Sequence, residues 1–128
     1  MQRIFSTLYL IFALTVFGGA ALAQSLDMRL CDQSIKAVAK STFVPKSVLL
    51  KIARLESGRR VQDQMVSWPW TLNNSGAGYF FASKSDASVK LQKLMATGKK
   101  NIDVGCMQLN IRWHGRYFNT TSAMLSPF

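Results

Sequence analysis

The first 23 residues constrain most strongly what this chain can fold into, because they have the three parts of a cleavable secretory signal peptide. A short positive region ending at Arg3 precedes the apolar run 4–17, and the small residues 21–23 then supply a cleavage site. The apolar run is shorter than the roughly 20 residues that a spanning helix needs, so an uncleaved membrane anchor is the weaker alternative. Removal of residues 1–23 leaves residues 24–128, about 105 residues, which suits one small domain.

The exported segment is strongly basic. The chain carries a formal net charge of +10, and loss of Arg3 with the signal lowers it to +9. A basic surface favours the binding of polyanions. The alternative is that the charges only keep the protein solvated and bind no ligand. Export to the bacterial periplasm or the outside favours anionic envelope polymers or membrane headgroups as ligands over nucleic acid. Of these two classes we expect an envelope polymer, with no nucleic-acid partner and, after signal cleavage, no membrane association.

Two cysteines, Cys31 and Cys106, both lie in the exported segment. An oxidising compartment would let them pair, and each is the other's sole candidate. Closing so long a loop could contribute on the order of 4 kcal/mol in the chain-entropy model. Two free buried thiols are the alternative.

Apolar periodicity predicts a mainly helical domain with one small β-hairpin. Helices are predicted over residues 32–41, 46–57 and 86–97, with a further short helix over 104–109. Segments 67–72 and 79–81 flank a turn-rich stretch and predict the hairpin, in which Pro69 marks the first arm as an edge strand. The tail from residue 111 onward shows no clear pattern.

Glu56 is the single glutamate of the chain. It follows Ile52 and Ala53 at helical spacing, which predicts that it lies on the buried face of the second helix. A carboxyl group in apolar surroundings is desolvated, and desolvation can hold such a group protonated as a general acid near neutral pH. The alternative is an exposed carboxylate at a helix end. Ser57 could orient the carboxyl group or merely end the helix.

A second cluster of interest spans residues 101–110. Gly105 permits close backbone approach, while Gln108 and Asn110 present amide groups that suit sugar hydroxyls and N-acetyl groups. An ordinary turn leading into a helix is the alternative. His114 is the one histidine, so a histidine-rich metal site is excluded. We therefore expect neither a metal nor a cofactor.

The order of three motifs, namely 56–58, 68–73 and 101–110, resembles the lytic transglycosylase family, which has a lysozyme-like fold. The resemblance covers about residues 31–128 and is closest to the small exported forms associated with secretion and conjugation machinery. It implies a mainly α fold of the α+β, lysozyme-like type. It also implies peptidoglycan glycan strands as the substrate and the secretion or conjugation machinery as a further partner.

The same resemblance assigns roles to individual residues. Glu56 would be the catalytic acid, and then the base, in cleaving the bond between N-acetylmuramic acid and N-acetylglucosamine. Ser57 would steady the reacting centre. Gln108 would line the sugar subsites, with Met107 and Asn110 near them.

Two alternatives to a lytic transglycosylase stay open. Ordinary glycosidases use two carboxylates, and Asp63 and Asp103 would allow such a hydrolytic muramidase. A wall-binding accessory protein without turnover is the other alternative. Family members usually continue past the region matching 124–128 into a helix with a tyrosine that borders the site, and no residue here, Tyr117 included, matches that tyrosine by position. The resemblance therefore predicts either truncation at the C-terminus or a helix supplied otherwise.

Overall fold

A computed structural model of the chain describes residues 24–128, and the predicted signal peptide lies outside the described residues. The helices are α1 (24–38), α2 (Lys46–Ser57), α3 (Lys84–Ala96) and the single turn α4 (Ile111–His114). The strands are β1 (Gly58–Val61), β2 (Gln64–Ser67), β3 (Thr71–Asn74), β4 (Ala77–Phe80), β5 (Ile102–Val104) and β6 (Leu109–Asn110). Two 3-10 helices, Gly115–Tyr117 and Thr121–Leu125, complete the described part of the chain.

The strands form two antiparallel sheets. Strands β1 and β2 make an isolated hairpin, while the second sheet has the order β4-β3-β5-β6. Strands β3 and β4 are joined by Ser75 and Gly76, which both have positive φ angles, of 54° and 97°. Two positive φ values in a two-residue loop are the signature of the type I′ turn, whose twist matches that of the strands.

The core lies between the four-stranded sheet and α3, with the end of the chain packed against it. Helix α3 starts at Ser83, whose hydroxyl accepts a hydrogen bond from the backbone of Asp86, and it buries Ala87, Leu91 and Leu94. The core residues are Val61, Trp68, Trp70, Leu72, Ala87, Leu91, Leu94, Ile102, Val104, Ile111, Met124 and Leu125.

The prediction of a mainly α domain with one hairpin is wrong. The described residues contain six strands in two sheets beside the helices, so the fold is an α+β mixture. The β1–β2 hairpin was missed because Gly58 ends α2 and at the same time begins β1 without an intervening loop. The segment 104–109 belongs to β5, a turn and β6 and not to a helix.

Other predicted elements agree more closely with the structure. Helix α2 has the predicted bounds. A hairpin is present as β3 and β4, but its first strand begins at Thr71 and not at Ser67, and its turn is only Ser75 and Gly76. Helix α1 is displaced toward the N-terminus relative to the predicted 32–41. Pro69 does not mark an edge strand, because β3, which follows it, lies between β4 and β5.

The predicted disulfide is confirmed. Cys31 and Cys106 are joined across 75 residues of sequence, with their Cα atoms 5.6 Å apart. Cys31 is in the middle of α1 and not at its start, so the bond fastens the body of the helix to the turn between β5 and β6. One turn further along α1, the Ser34 hydroxyl donates to the carbonyl of Pro127, which ties the end of the chain to the same helix.

Helix α2 buries two small residues and exposes several large apolar ones. Ala53 and Ser57 are fully buried. The opposite side carries Val48, Ile52 and Leu55, which we call the α2 stripe together with exposed Val44 just before the helix; Leu55 is 85% exposed. Val48, Ile52 and Leu55 are three or four residues apart, so their side chains lie on one side of the helix.

Candidate active site

Glu56 is exposed at the end of α2, so the predicted burial of this carboxyl group is wrong. The buried face of the helix is set by Ala53 and Ser57, whereas Ile52, which together with Ala53 suggested burial of Glu56, is 38% exposed. Glu56 lies one position before Ser57 and one turn after Ile52, which places it at the border of the α2 stripe. Its carboxylate is accessible to a polymer that approaches along this side.

Ser57 has no exposed surface, and its hydroxyl faces two backbone carbonyls. The Oγ atom is 2.9 Å from the carbonyl oxygen of Ala53 and 2.7 Å from that of Cys106. The first contact is within the last turn of α2, whereas the second crosses to the turn between β5 and β6. The residue next to Glu56 thus holds the helix end against the turn that contains Gln108.

The turn that connects β5 to β6 consists of residues 105–108. Its first and last residues, Gly105 and Gln108, have left-handed φ angles of 74° and 46°. The backbone amide of Gln108 donates to the carbonyl of Gly105 at 3.1 Å, and the Gln108 side chain donates to the same oxygen at 3.0 Å. Among residues 24–128 the half-buried Gln108 side chain receives no hydrogen bond at its amide oxygen.

Gly105 is required by crowding as well as by its φ angle. A Cβ atom there would lie 3.1 Å from the carbonyl oxygen of Met124. At Gly98, which has a φ of 79°, an added Cβ would meet nothing within 4 Å. An alanine at Gly98 would therefore meet backbone strain alone, whereas an alanine at Gly105 would meet both backbone strain and steric crowding.

We expect Gly105→Ala to lower the free energy of unfolding by about 2–4 kcal/mol, because strain and crowding add. The matched variant Gly98→Ala carries only the left-handed strain and should cost about 1–2 kcal/mol. Urea denaturation of both variants checks this. Equal losses would show that the approach of Met124 to Gly105 has no energetic weight.

Asn110 is occupied by structural hydrogen bonds. Its side-chain nitrogen donates to Asn101 at 2.9 Å and to Asp103 at 2.8 Å, while its oxygen caps α4 by accepting from the backbone of Arg112 at 3.0 Å. Asp103 is held in this network by the Asn110 side chain, which bridges it to Asn101. Asn110 thus fixes β6 against β5 and has no free side-chain donor for a sugar.

Met107 lies beside the disulfide and lines a small, mainly apolar cavity of about 160 Å³. The cavity lies between the disulfide, α1 and the end of the chain. Asp63, the other acidic residue of the predicted hydrolytic alternative, is exposed in the two-residue turn between β1 and β2. His114 is exposed at the end of α4, and its ring centroid is 6.5 Å from that of Tyr117.

The sequence patterns did not single out two basic residues near β4. The Arg59 guanidinium lies 4.5 Å from the Trp68 ring centroid and 5.7 Å from that of Phe80, and the Lys90 ammonium lies 4.6 Å from that of Tyr79. The position of Arg59 beside these rings depends on β1, and the sequence patterns did not predict that strand.

Comparison of the chain with protein-family models, with curated proteins and with solved structures finds no match. Within residues 24–128, no helix has the length and apolar character required to cross a membrane. The same residues contain no group of three or more histidine, cysteine or acidic side chains that could hold a metal ion.

Proposed function

We propose that this protein is a peptidoglycan lytic transglycosylase in which Glu56 is the catalytic acid and base. One observation carries the proposal: the Ser57 hydroxyl contacts the carbonyl of Cys106 at 2.7 Å. This contact brings together two of the three motifs on which the family resemblance rests, 56–58 and 101–110, and the disulfide fixes the second of these to α1. Glu56 is exposed one residue before this contact, and Gln108 lies in the turn that the contact joins to the helix.

The proposed chemistry needs a single carboxyl group. Protonated Glu56 donates its proton to the glycosidic oxygen as the bond to C1 of N-acetylmuramic acid breaks, and the N-acetylglucosamine leaves as an alcohol. The resulting Glu56 carboxylate then accepts the proton of the C6 hydroxyl of the same muramic acid, while that oxygen bonds to C1. The product is a 1,6-anhydro end, and Glu56 returns to its protonated form.

Two features of the surface support a wall polymer as the substrate. Glu56 lies on an open side of α2, which a long glycan strand can reach without entering a closed pocket. The net charge of +10 over the whole chain would attract an anionic polymer. Action on the wall requires export, so the proposal includes a periplasmic or secreted location. Secretion or conjugation machinery is the further partner that the family resemblance implies.

The nature of the new sugar end tests the proposal. We expect the protein, incubated with purified sacculi, to release fragments with 1,6-anhydro ends, because the C6 hydroxyl takes the place of water. Mass spectrometry separates these ends from reducing ends, which are heavier by one water. Reducing ends alone would instead indicate a hydrolytic muramidase that uses Asp63 or Asp103 as a second carboxylate.

A second candidate function is a wall-binding accessory protein without turnover, and the exposure of Glu56 favours it. An exposed carboxyl group lacks the dry surroundings that general acids in glycosidases usually have. Co-sedimentation with sacculi distinguishes the two functions. Binding without any released fragment, unchanged in Glu56→Gln, would support the accessory function.

A further inference from the structure

Strand β4 (Ala77–Phe80) forms one edge of the four-stranded sheet and pairs only with β3 among the described strands. Ala77, Gly78 and Phe80 are exposed, and Phe80 is 48% exposed although it is a large apolar residue. A free edge presents backbone donors and acceptors to which another extended chain can add.

The register shows which backbone groups of β4 point away from the sheet. The amide of Phe81 donates to the carbonyl of Trp70 at 2.9 Å, so these two residues form a hydrogen-bonded pair. Hydrogen-bonded and non-bonded pairs alternate in an antiparallel ladder, and the next pair, Phe80 with Thr71, is non-bonded. Consistent with this, the Thr71 carbonyl accepts from Gly105 on the opposite side of β3. Phe80 and, two residues earlier, Gly78 therefore direct their amides and carbonyls outward.

Positive charges flank this edge on both faces of the strand. Successive side chains alternate across a strand, so Tyr79 and Phe80 lie on opposite faces. Lys90 is 4.6 Å from the Tyr79 ring, and Arg59 is 5.7 Å from the Phe80 ring. Within residues 24–128 the one ion pair is Arg54–Asp32, so neither cation has a carboxylate partner there. Asp86, one turn before Lys90, is engaged with the Ser83 hydroxyl at 2.7 Å.

We infer that the free edge of β4 binds an extended acidic peptide as an added strand, with its carboxylates placed toward Arg59 and Lys90. The outward groups of Gly78 and Phe80 would supply the backbone hydrogen bonds. The identity of the peptide rests on the proposed function. If the substrate is peptidoglycan, the acidic peptide is the anionic peptide arm that its glycan strands carry. The preferred substrate would then be peptide-bearing wall and not bare glycan.

Fluorescence anisotropy with labelled peptide arms cut from purified sacculi tests the inference without any glycan. We expect Arg59→Gln and Lys90→Gln each to weaken binding by about threefold to fivefold, as loss of one partly exposed charge contact would. Arg60→Gln and Lys93→Gln are matched controls that remove the same charge from the same strand and helix at exposed positions, and they should change the Kd by less than about twofold. Equal changes of the Kd in all four variants would show that the peptide responds only to the net charge of the protein, and would overturn the inference.

Amide chemical shifts provide a readout that loss of folding cannot imitate. Addition of the peptide arm to the intact protein should shift the Gly78 and Phe80 amides more than the Tyr79 amide, which faces β3. Unshifted Gly78 and Phe80 amides would overturn strand addition. Tighter binding of an acidic protein segment than of the wall peptide would overturn the assignment of the ligand. Because no glycan is cleaved here, failure of this test leaves the proposed lytic activity standing, and absence of anhydro products leaves this binding site standing.

Discussion

Glu56→Gln should lower the release of 1,6-anhydro fragments from sacculi by a factor of about 10²–10⁴, the usual contribution of a positioned general acid or base. Glutamine has the same shape but cannot give or take the proton at the glycosidic oxygen. Glu56 is exposed, and no described residue makes a hydrogen bond or ion pair to its side chain. The variant should therefore fold and bind the wall as the unmodified protein does, and only the rate should change.

Asp63→Asn is the matched control for this experiment. It also replaces one exposed carboxylate by an amide, so it changes the net charge by the same amount as Glu56→Gln. We expect its rate of fragment release to stay within about twofold of the unmodified protein. Full activity in Glu56→Gln would remove Glu56 from the proposed mechanism. Equal losses in both variants would indicate chemistry that requires two carboxylates.

Replacing Cys31 and Cys106 together by serine should lower the free energy of unfolding by about 4 kcal/mol. The estimate follows from the 75-residue separation, because the cross-link removes conformational freedom from the unfolded chain. A loss of this size is a large part of the roughly 5–15 kcal/mol that keeps a small domain folded. Urea denaturation at equal protein concentration measures it.

Ser34→Ala serves as a control for the disulfide experiment. It removes a hydrogen bond between α1 and the carbonyl of Pro127 but leaves the covalent link intact. Its expected cost is about 1 kcal/mol. Amide exchange should also become faster at residues 105–108 in the double serine variant, since the turn would then be held to the helices mainly through Ser57. A free energy of unfolding that falls by less than about 1 kcal/mol in the double serine variant would contradict the explanation by lost freedom of the unfolded chain.

The sequence predicted those parts of the fold in which a local signal and the tertiary environment agree. Helix α2 begins after Pro45, which suits the start of a helix, and it ends at Gly58. The β3–β4 hairpin was visible because its turn-rich segment contains Gly76 at a position with positive φ. The cysteine pairing was predicted from the expected export and from the presence of only two cysteines in the chain.

The predictions failed where packing overrides the local pattern. In α2 the spacing of Ile52 and Ala53 suggested the buried face, but the helix packs through Ala53 and Ser57, whose small side chains allow close approach, and Ile52 lies outside that contact. Glu56 was therefore placed inside when it lies outside. The segment 104–109 is apolar enough for a helix, yet β5 is fixed by pairing with β3, a contact between residues about 30 apart in sequence that no local window contains. The joining of Ser57 to Cys106 is likewise a long-range contact.

The α2 stripe has a consequence for the colloidal behaviour of this protein. Molecules with a net charge of about +10 repel one another at low ionic strength, and the repulsion keeps their stripes apart. Salt shortens the range of that repulsion from about 10 Å at 0.1 M to about 3 Å at 1 M, whereas attraction between apolar surfaces persists. The high salt that strips a basic protein from polyanions would thus bring Val48, Ile52 and Leu55 of different molecules into contact. Solutions of this protein should be clearest in dilute buffer and turn turbid as salt is added.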